Sequence, residues 1–141
     1  MSIVGTKVIR KEDPNLLTGR GQYVDDIQLT GMTHMAFVRS TEAHALIKGI
    51  DVSAALECEG VIGAWTAADL ELPPLPEVPG LERPTLATDK VRFVGEAVAV
   101  IVAESKYAAA DGTELVVVDY EPLEAVTNIE EATAEDAPLL F

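Results

Sequence analysis

Residues 92–103 read RFVGEAVAVIVA, and from Ala97 onward the stretch is an unbroken apolar run, Ala-Val-Ala-Val-Ile-Val-Ala. It is rich in β-branched residues and far shorter than the roughly 18 residues a membrane helix needs. Such a run suits a strand covered on both faces. Gly95 before it marks a bulge or a close backbone approach, and Glu104-Ser105 after it is where a helix can begin. A second β-rich run, Leu115 to Tyr120 (LVVVDY), follows one short helix later. The nucleus expected is therefore strand, helix from Ser105 to Glu114, strand.

Working outward, the 141 residues suit a single domain, one that buries roughly two-thirds of its unfolded surface. A hydrophobic fraction of 48% excludes a disordered chain. The start shows no secretory signal pattern, and no run is long enough to span a bilayer, so the expected location is the cytoplasm. Cys58 is the only cysteine. One thiol cannot form an internal disulfide or hold an iron–sulfur cluster or structural zinc, and its expected role is a small buried apolar residue. The net charge of −14 is uneven: residues 1–50 carry +1, 51–100 carry −6 and 101–141 carry −9. With no basic face to displace counterions, nucleic acid is excluded as a partner.

Along the chain, residues 1–9 read as irregular or a short edge strand. Asp13-Pro14 opens a helical turn through Asn15, Leu16 and Leu17, which Gly19 closes in a left-handed conformation. Gly19-Arg20-Gly21 lacks the third glycine, the preceding strand and the lysine of a phosphate loop. Asp25-Asp26 reads as a solvated turn rather than a metal pair. Met32 to Arg39 and Ile47 to Val52 have strand character. Ser40, His44 and Asp51 form no hydrolase triad, because the glycine pattern around an exposed nucleophile is absent and triad members usually lie far apart in sequence. His34 and His44 lack metal-ligand spacing and read as hydrogen-bonded histidines.

Ser53 is the expected N-cap of a short helix from Ala54 to Glu59, closed by Gly60. Val61 to Trp65 follows as a strand, and Thr66 caps another helical turn at Ala67 to Leu70. The proline-rich segment 71–84 is expected to be an extended surface loop, a better reading than a PxxP ligand. Glu121-Pro122-Leu123 breaks the second ladder, and Asn128 caps a short acidic helix from Ile129 to Ala134. The chain ends on apolar Pro-Leu-Leu-Phe at Phe141, which reads as an end that was cut.

Four segments together resemble the N-terminal α/β-hammerhead domain of the molybdenum hydroxylase large subunits, the family of carbon monoxide dehydrogenases, aldehyde oxidases and xanthine dehydrogenases. They are RKEDPNLLTGRGQYVDD (10–26), MTHMAFVRSTEAHALI (32–47), DKVRFVGEAVAVIVAESKYAAAD (89–111) and VVVDYEPLEAV (116–126). They stand in the family's order over nearly the whole chain, and the carbon monoxide dehydrogenase-like branch is the most similar. Ala97 departs from the proline that often follows Gly-Glu there. The resemblance implies an α+β fold, a mixed sheet with short helices, filling residues 1–141 as one domain and the N-terminal fragment of a longer subunit.

It also implies a chemistry located elsewhere: hydroxylation of a carbonyl or heteroaromatic carbon, or oxidation of carbon monoxide, with oxygen derived from water. The molybdopterin cofactor belongs to the full subunit's later portion, and iron–sulfur clusters and FAD to partner subunits or domains. The implied partners are the remainder of the large subunit and the iron–sulfur and FAD subunits. No catalytic, cofactor-binding or metal-ligating residue is assigned to this chain, and no turnover is expected from it alone. Glu96 and Arg39 are the polar residues best placed to matter. Glu96 reads as a carboxylate satisfied by backbone N–H groups at the Gly95 kink, and Arg39 as a partner in a structural ion pair. Two other readings stand beside this one: a stand-alone protein-interaction module, and a lipoyl-like carrier modified at Lys90, which requires Lys90 at the tip of a tight turn between two strands.

Overall fold

The structure is a computed structural model that describes residues 4–5, 7–71 and 84–140. The chain divides into two units, residues 1–32 and 33–141. The proline-rich loop expected at 71–84 lies almost wholly outside the described residues.

In the first unit, helix α1 spans Asp13–Leu17 with proline in its first turn. Gly19 has φ +68°, and the N–H groups of Arg20 and Gly21 both reach back to the Asn15 carbonyl at 2.8 and 3.1 Å. That is the left-handed closure the sequence predicts. A 3-10 turn follows at Val24–Asp26, where the Asp26 carboxylate accepts the Tyr23 N–H at 2.9 Å. The Asp25-Asp26 pair is thus a turn whose second carboxylate serves its own backbone. No described residue of this unit is buried, although it carries Leu17 at 86% and Val24 at 85% exposure.

The second unit holds two three-stranded sheets, with strand orders β1-β5-β3 and β4-β2-β6. Their ranges are β1 His34–Arg39, β2 Ala45–Asp51, β3 Val61–Thr66, β4 Lys90–Val91, β5 Ala97–Ala103 and β6 Val117–Pro122. All four ladders are antiparallel. The α+β class with short helices follows the sequence. β5 is the central strand of its sheet, with Val98, Ala99 and Ile101 all fully buried. Helix α3, Lys106–Glu114, starts where expected, with the Ser105 hydroxyl accepting the Ala108 N–H at 3.1 Å. It delivers the chain not to a neighbour of β5 but to β6 on the edge of the other sheet. The strand–helix–strand nucleus therefore bridges two sheets. Pro122, lacking an N–H, sits at the last position of β6 opposite Ala45.

Some boundaries differ from expectation, each for a local reason. β2 begins at Ala45, two residues early, because it must reach Val91 of β4 as well as Pro122 of β6. Helix α2 is only Ser53–Leu56, and Ser53 is its first residue rather than its cap. The Asp51 carboxylate takes the capping role by accepting the Ser53 N–H at 2.9 Å, and the Ser53 side chain and backbone together hold Asp51 below its ordinary pKa. Cys58 is half-buried instead of buried, because it lies in the tight turn after this short helix and before Gly60, φ +82°. After Thr66 there is a turn and no helix, fixed by the Asp69 carboxylate accepting the Thr66 N–H and hydroxyl at 2.8 and 2.7 Å. Helix α4 is Ile129–Ala132, capped by Asn128 as expected, its Oδ1 accepting the Glu131 N–H at 2.8 Å.

Two predictions follow from this packing. A Cβ on Gly112 of α3 would stand 2.9 Å from Ile101 Cγ2 and 3.0 Å from Val61 Cγ2. Ala normally favours a helix by up to about 1 kcal/mol over Gly, but overpacking a helix–sheet contact costs about 1–3 kcal/mol. G112A is therefore expected to lower the urea midpoint, and a raised midpoint would show that α3 can move off the sheet. Asp69 is held below its ordinary value by the Thr66 backbone N–H first and its hydroxyl second. A depressed carboxylate stabilises the fold above its unfolded pKa of about 4. That contribution is lost as the pH falls through the lower folded value, so D69N should flatten the acid limb of a stability–pH curve and leave neutral pH less stable.

Candidate functional site

The most connected polar cluster of the second unit is built on the turn 92–96 between β4 and β5. Gly95 has φ +90°, a conformation a side chain rarely tolerates. Its N–H donates to the Ser40 carbonyl, the Ser40 N–H donates to the Glu96 carbonyl, both at 2.8 Å, and Arg39 Nη1 donates to the Gly95 carbonyl at 2.8 Å. The turn is thereby laced to the end of β1, where the β1–β5 register shifts between Val38 and Arg39.

This bend pushes Glu96 inward, where it is 6% exposed. One carboxylate oxygen accepts the Arg92 N–H at 2.5 Å and the other faces the Arg92 guanidinium at 3.6 Å. The expectation that backbone N–H groups satisfy Glu96 is met in kind, with a half-buried cation added that the sequence reading missed. The signal was present in the RFVGE spacing: four residues folded over a left-handed glycine return position i+4 to position i. Arg92 also donates to the Lys90 carbonyl through Nη1 at 3.1 Å and to the Leu140 carbonyl through Nε at 3.0 Å. Arg39, in contrast, enters no ion pair of the expected kind among the described residues. Its guanidinium partner is the Gly95 carbonyl, and it lies 5.8 Å from the Phe37 ring centroid. The register shift at the end of β1 leaves it exposed, which is why a carbonyl and a ring face suffice.

Beside the turn is a cavity of about 430 Å³ whose lining includes His44, Arg92, Phe93, Val126, Pro138 and Leu140. His44 is buried and bonds the Glu124 carbonyl through Nδ1 at 2.7 Å. A carbonyl only accepts, so Nδ1 must carry the proton, and in the neutral ring Nε2 is a lone pair. That Nε2 is buried without a hydrogen-bond partner. His44 is therefore hydrogen-bonded, as read from the sequence, at one nitrogen only. His34 is half-buried on β1 opposite Ala103.

The structure keeps Ser40, His44 and Asp51 apart in function. The Ser40 hydroxyl is turned onto the Glu42 backbone, His44 onto Glu124, and Asp51 onto Ser53. Lys90 is not at a hairpin tip: it is half-buried inside β4, paired with Leu46 of β2. The lipoyl-like reading fails on that geometry, because the β4–β2 ladder fixes the backbone where a swinging arm needs a free turn. As for metals, an iron–sulfur cluster needs several thiolates and this chain has one, Cys58. Among the described residues no group of three His, Cys, Asp or Glu side chains is gathered as a metal site. The turn-92–96 cluster is chemically a clamp: its carboxylate is engaged at both oxygens, and its cation spans β4, β5 and the C-terminal segment.

The fold and this sequence order match one family over residues 18–124, described as the aldehyde oxidase and xanthine dehydrogenase a/b hammerhead domain. The chain belongs to that family; it is a hammerhead domain of the molybdenum hydroxylase large-subunit class. It is 46% identical over 140 residues to the carbon monoxide dehydrogenase large chain of Afipia carboxidovorans, a match covering 97% of this chain and 17% of that one. It is 47% identical over 135 residues to the nicotine 6-hydroxylase large subunit of Paenarthrobacter nicotinovorans, covering 90% of this chain and 16% of that one. The crystal structure of a Cu,Mo carbon monoxide dehydrogenase superposes with a TM-score of 0.84 at 46% identity, over 96% of this chain and 17% of that one. The chain thus spans about one-sixth of the length of these relatives. No helix among the described residues is long and apolar enough to cross a membrane.

The clamp predicts an asymmetry between its two partners. Removing the cation strands a buried carboxylate and is expected to cost about 3–5 kcal/mol. Removing the negative charge leaves Arg92 with its two carbonyl acceptors, Lys90 and Leu140. R92M should therefore unfold at lower urea than E96Q, and equal midpoints would remove the clamp from the account.

Proposed function

We propose that residues 1–141 form the N-terminal hammerhead portion of a molybdenum hydroxylase large subunit and act there as a scaffold and packing element rather than as a catalyst. The observation that carries this reading is that identity does not track substrate. The chain is about equally similar to a large chain named for carbon monoxide and to one named for nicotine. A domain shared so evenly between a diatomic gas and a heteroaromatic alkaloid serves what the two enzymes have in common. The exposed apolar residues of the first unit, none of whose described residues is buried, support the same role.

In this reading the reaction is hydroxylation of a carbonyl or heteroaromatic carbon, or oxidation of carbon monoxide, with oxygen taken from water. The molybdopterin cofactor sits in the later portion of the subunit, iron–sulfur clusters and FAD on partner subunits or domains, and the assembly in the cytoplasm. What this chain's residues supply is mechanical. The Arg92–Glu96 clamp fixes the start of β5, and the engaged states of Glu96 and Ser40 are those of structural groups. A stand-alone interaction module is the second reading, favoured by the same exposed apolar residues.

Reading the gene beyond the Phe141 codon separates the two. An open frame continuing for several further domains is the expected result, and a stop codon there overturns it. The complete subunit, expressed with its partner subunits, should contain molybdenum and turn over an aldehyde, a heteroaromatic compound or carbon monoxide, whereas chain 1–141 alone should do neither.

A further inference from the structure

His44 is held from two sides by the chain that leaves β6. Its carbonyl accepts the Leu123 N–H at 2.8 Å, and its Nδ1–H donates to the Glu124 carbonyl at 2.7 Å. The second bond selects one tautomer of the neutral ring and leaves the lone pair on Nε2. Nε2 is buried without a partner, on a residue only 8% exposed. A buried acceptor left unsatisfied carries its full desolvation cost. The ring cannot turn to relieve it without giving up the Glu124 carbonyl. Among the described residues no donor is supplied to this nitrogen, so a donor from outside the chain would find it ready.

The cavity that His44 lines defines what kind of donor fits. Its volume of about 430 Å³ exceeds the roughly 150 Å³ at which an apolar cavity takes up benzene. Phe93, Val94, Val126, Pro138 and Leu140 supply apolar wall, and Phe93, 41% exposed, offers a ring face. Arg92 is the one charged side chain among the described lining residues. Its guanidinium is already set against Glu96 and the Lys90 and Leu140 carbonyls. No carboxylate joins that lining, in a chain with 24 acidic residues. A cation would meet Arg92 and an anion would meet the Nε2 lone pair, which leaves a neutral occupant. Nε2 is sealed from bulk water, so the occupant reaches it as the wall gives. The side able to give is the stretch after β6, where α4 buries none of its residues.

We propose that this cavity binds a small neutral aromatic molecule bearing one O–H or N–H donor, of the size and chemistry of a phenol or an indole. His44 Nε2 accepts its hydrogen bond, and the apolar wall takes its ring. An apolar pocket with one placed polar group is the usual build of a small-molecule site. The proposal is independent of the scaffold reading: a domain packed into a larger subunit and a domain that stands alone can both hold such a ligand.

Phenol is the probe, and anisole, the same ring with its donor methylated, is the control. Chain 1–141 labelled with nitrogen-15 histidine carries only His34 and His44, and the variant H34Q identifies which ring signals belong to His44. At a pH well above the ordinary histidine range, phenol should saturate the protein and shift the Nε2 resonance of His44. It should bind at least about tenfold more tightly than anisole, the difference one hydrogen bond to a buried acceptor makes. H44N keeps an amide N–H near the place of Nδ1 and lacks Nε2. It should bind phenol about tenfold more weakly and no longer distinguish it from anisole. Equal affinity for the two compounds in the unaltered protein overturns the proposal in favour of a purely apolar recess. An Nε2 resonance already at its hydrogen-bonded position, and unmoved by phenol, overturns it in favour of an ordered water. The absence of saturable binding overturns it as well. If H44N fails to fold, phenol against anisole on the unaltered chain decides.

Discussion

Strand β5 is too apolar to be wet, and that constraint organises the second unit. Val98, Ala99, Ile101 and Ala103 are fully buried, so the β5 backbone must find its hydrogen bonds inside the protein, because an unpaired buried N–H or carbonyl costs about as much as a lost hydrogen bond. A helix on one side cannot supply them. Strands on both edges can, and β1 and β3 do so in antiparallel register. The helix is then needed for the side chains, and Gly112 records how closely it approaches.

The ladder ends where the chain must turn sharply, and there polar groups take over. Gly95 makes the turn, and Ser40 and Arg39 tie it to β1 through backbone carbonyls. Glu96, carried inside by the bend, would be an unpaired buried charge without Arg92. The clamp is best read as a device that specifies geometry. A buried ion pair is weak as a net source of stability but severe when broken, so its effect is to make one conformation of the turn far better than its alternatives. Because Arg92 also holds Leu140, the same cation ties the segment around Leu140 to β4.

Much of this was legible in the sequence. The apolar run, the turn glycines at 19, 60 and 95, the cap residues Ser105 and Asn128, and the family order of four segments all act locally, through periodicity or a preference for φ > 0. What was not legible depends on partners distant in the chain or on choices between equivalent donors. Sheet membership is one case: β6 follows α3 directly yet pairs with β2 of the other sheet. Arg39 and Arg92 are another. Both precede a strand-end bend, and composition does not say which one finds the carboxylate; the four-residue return over Gly95 decides for Arg92. The cap of α2 passed from Ser53 to Asp51 because a carboxylate two residues upstream is the stronger acceptor for that N–H.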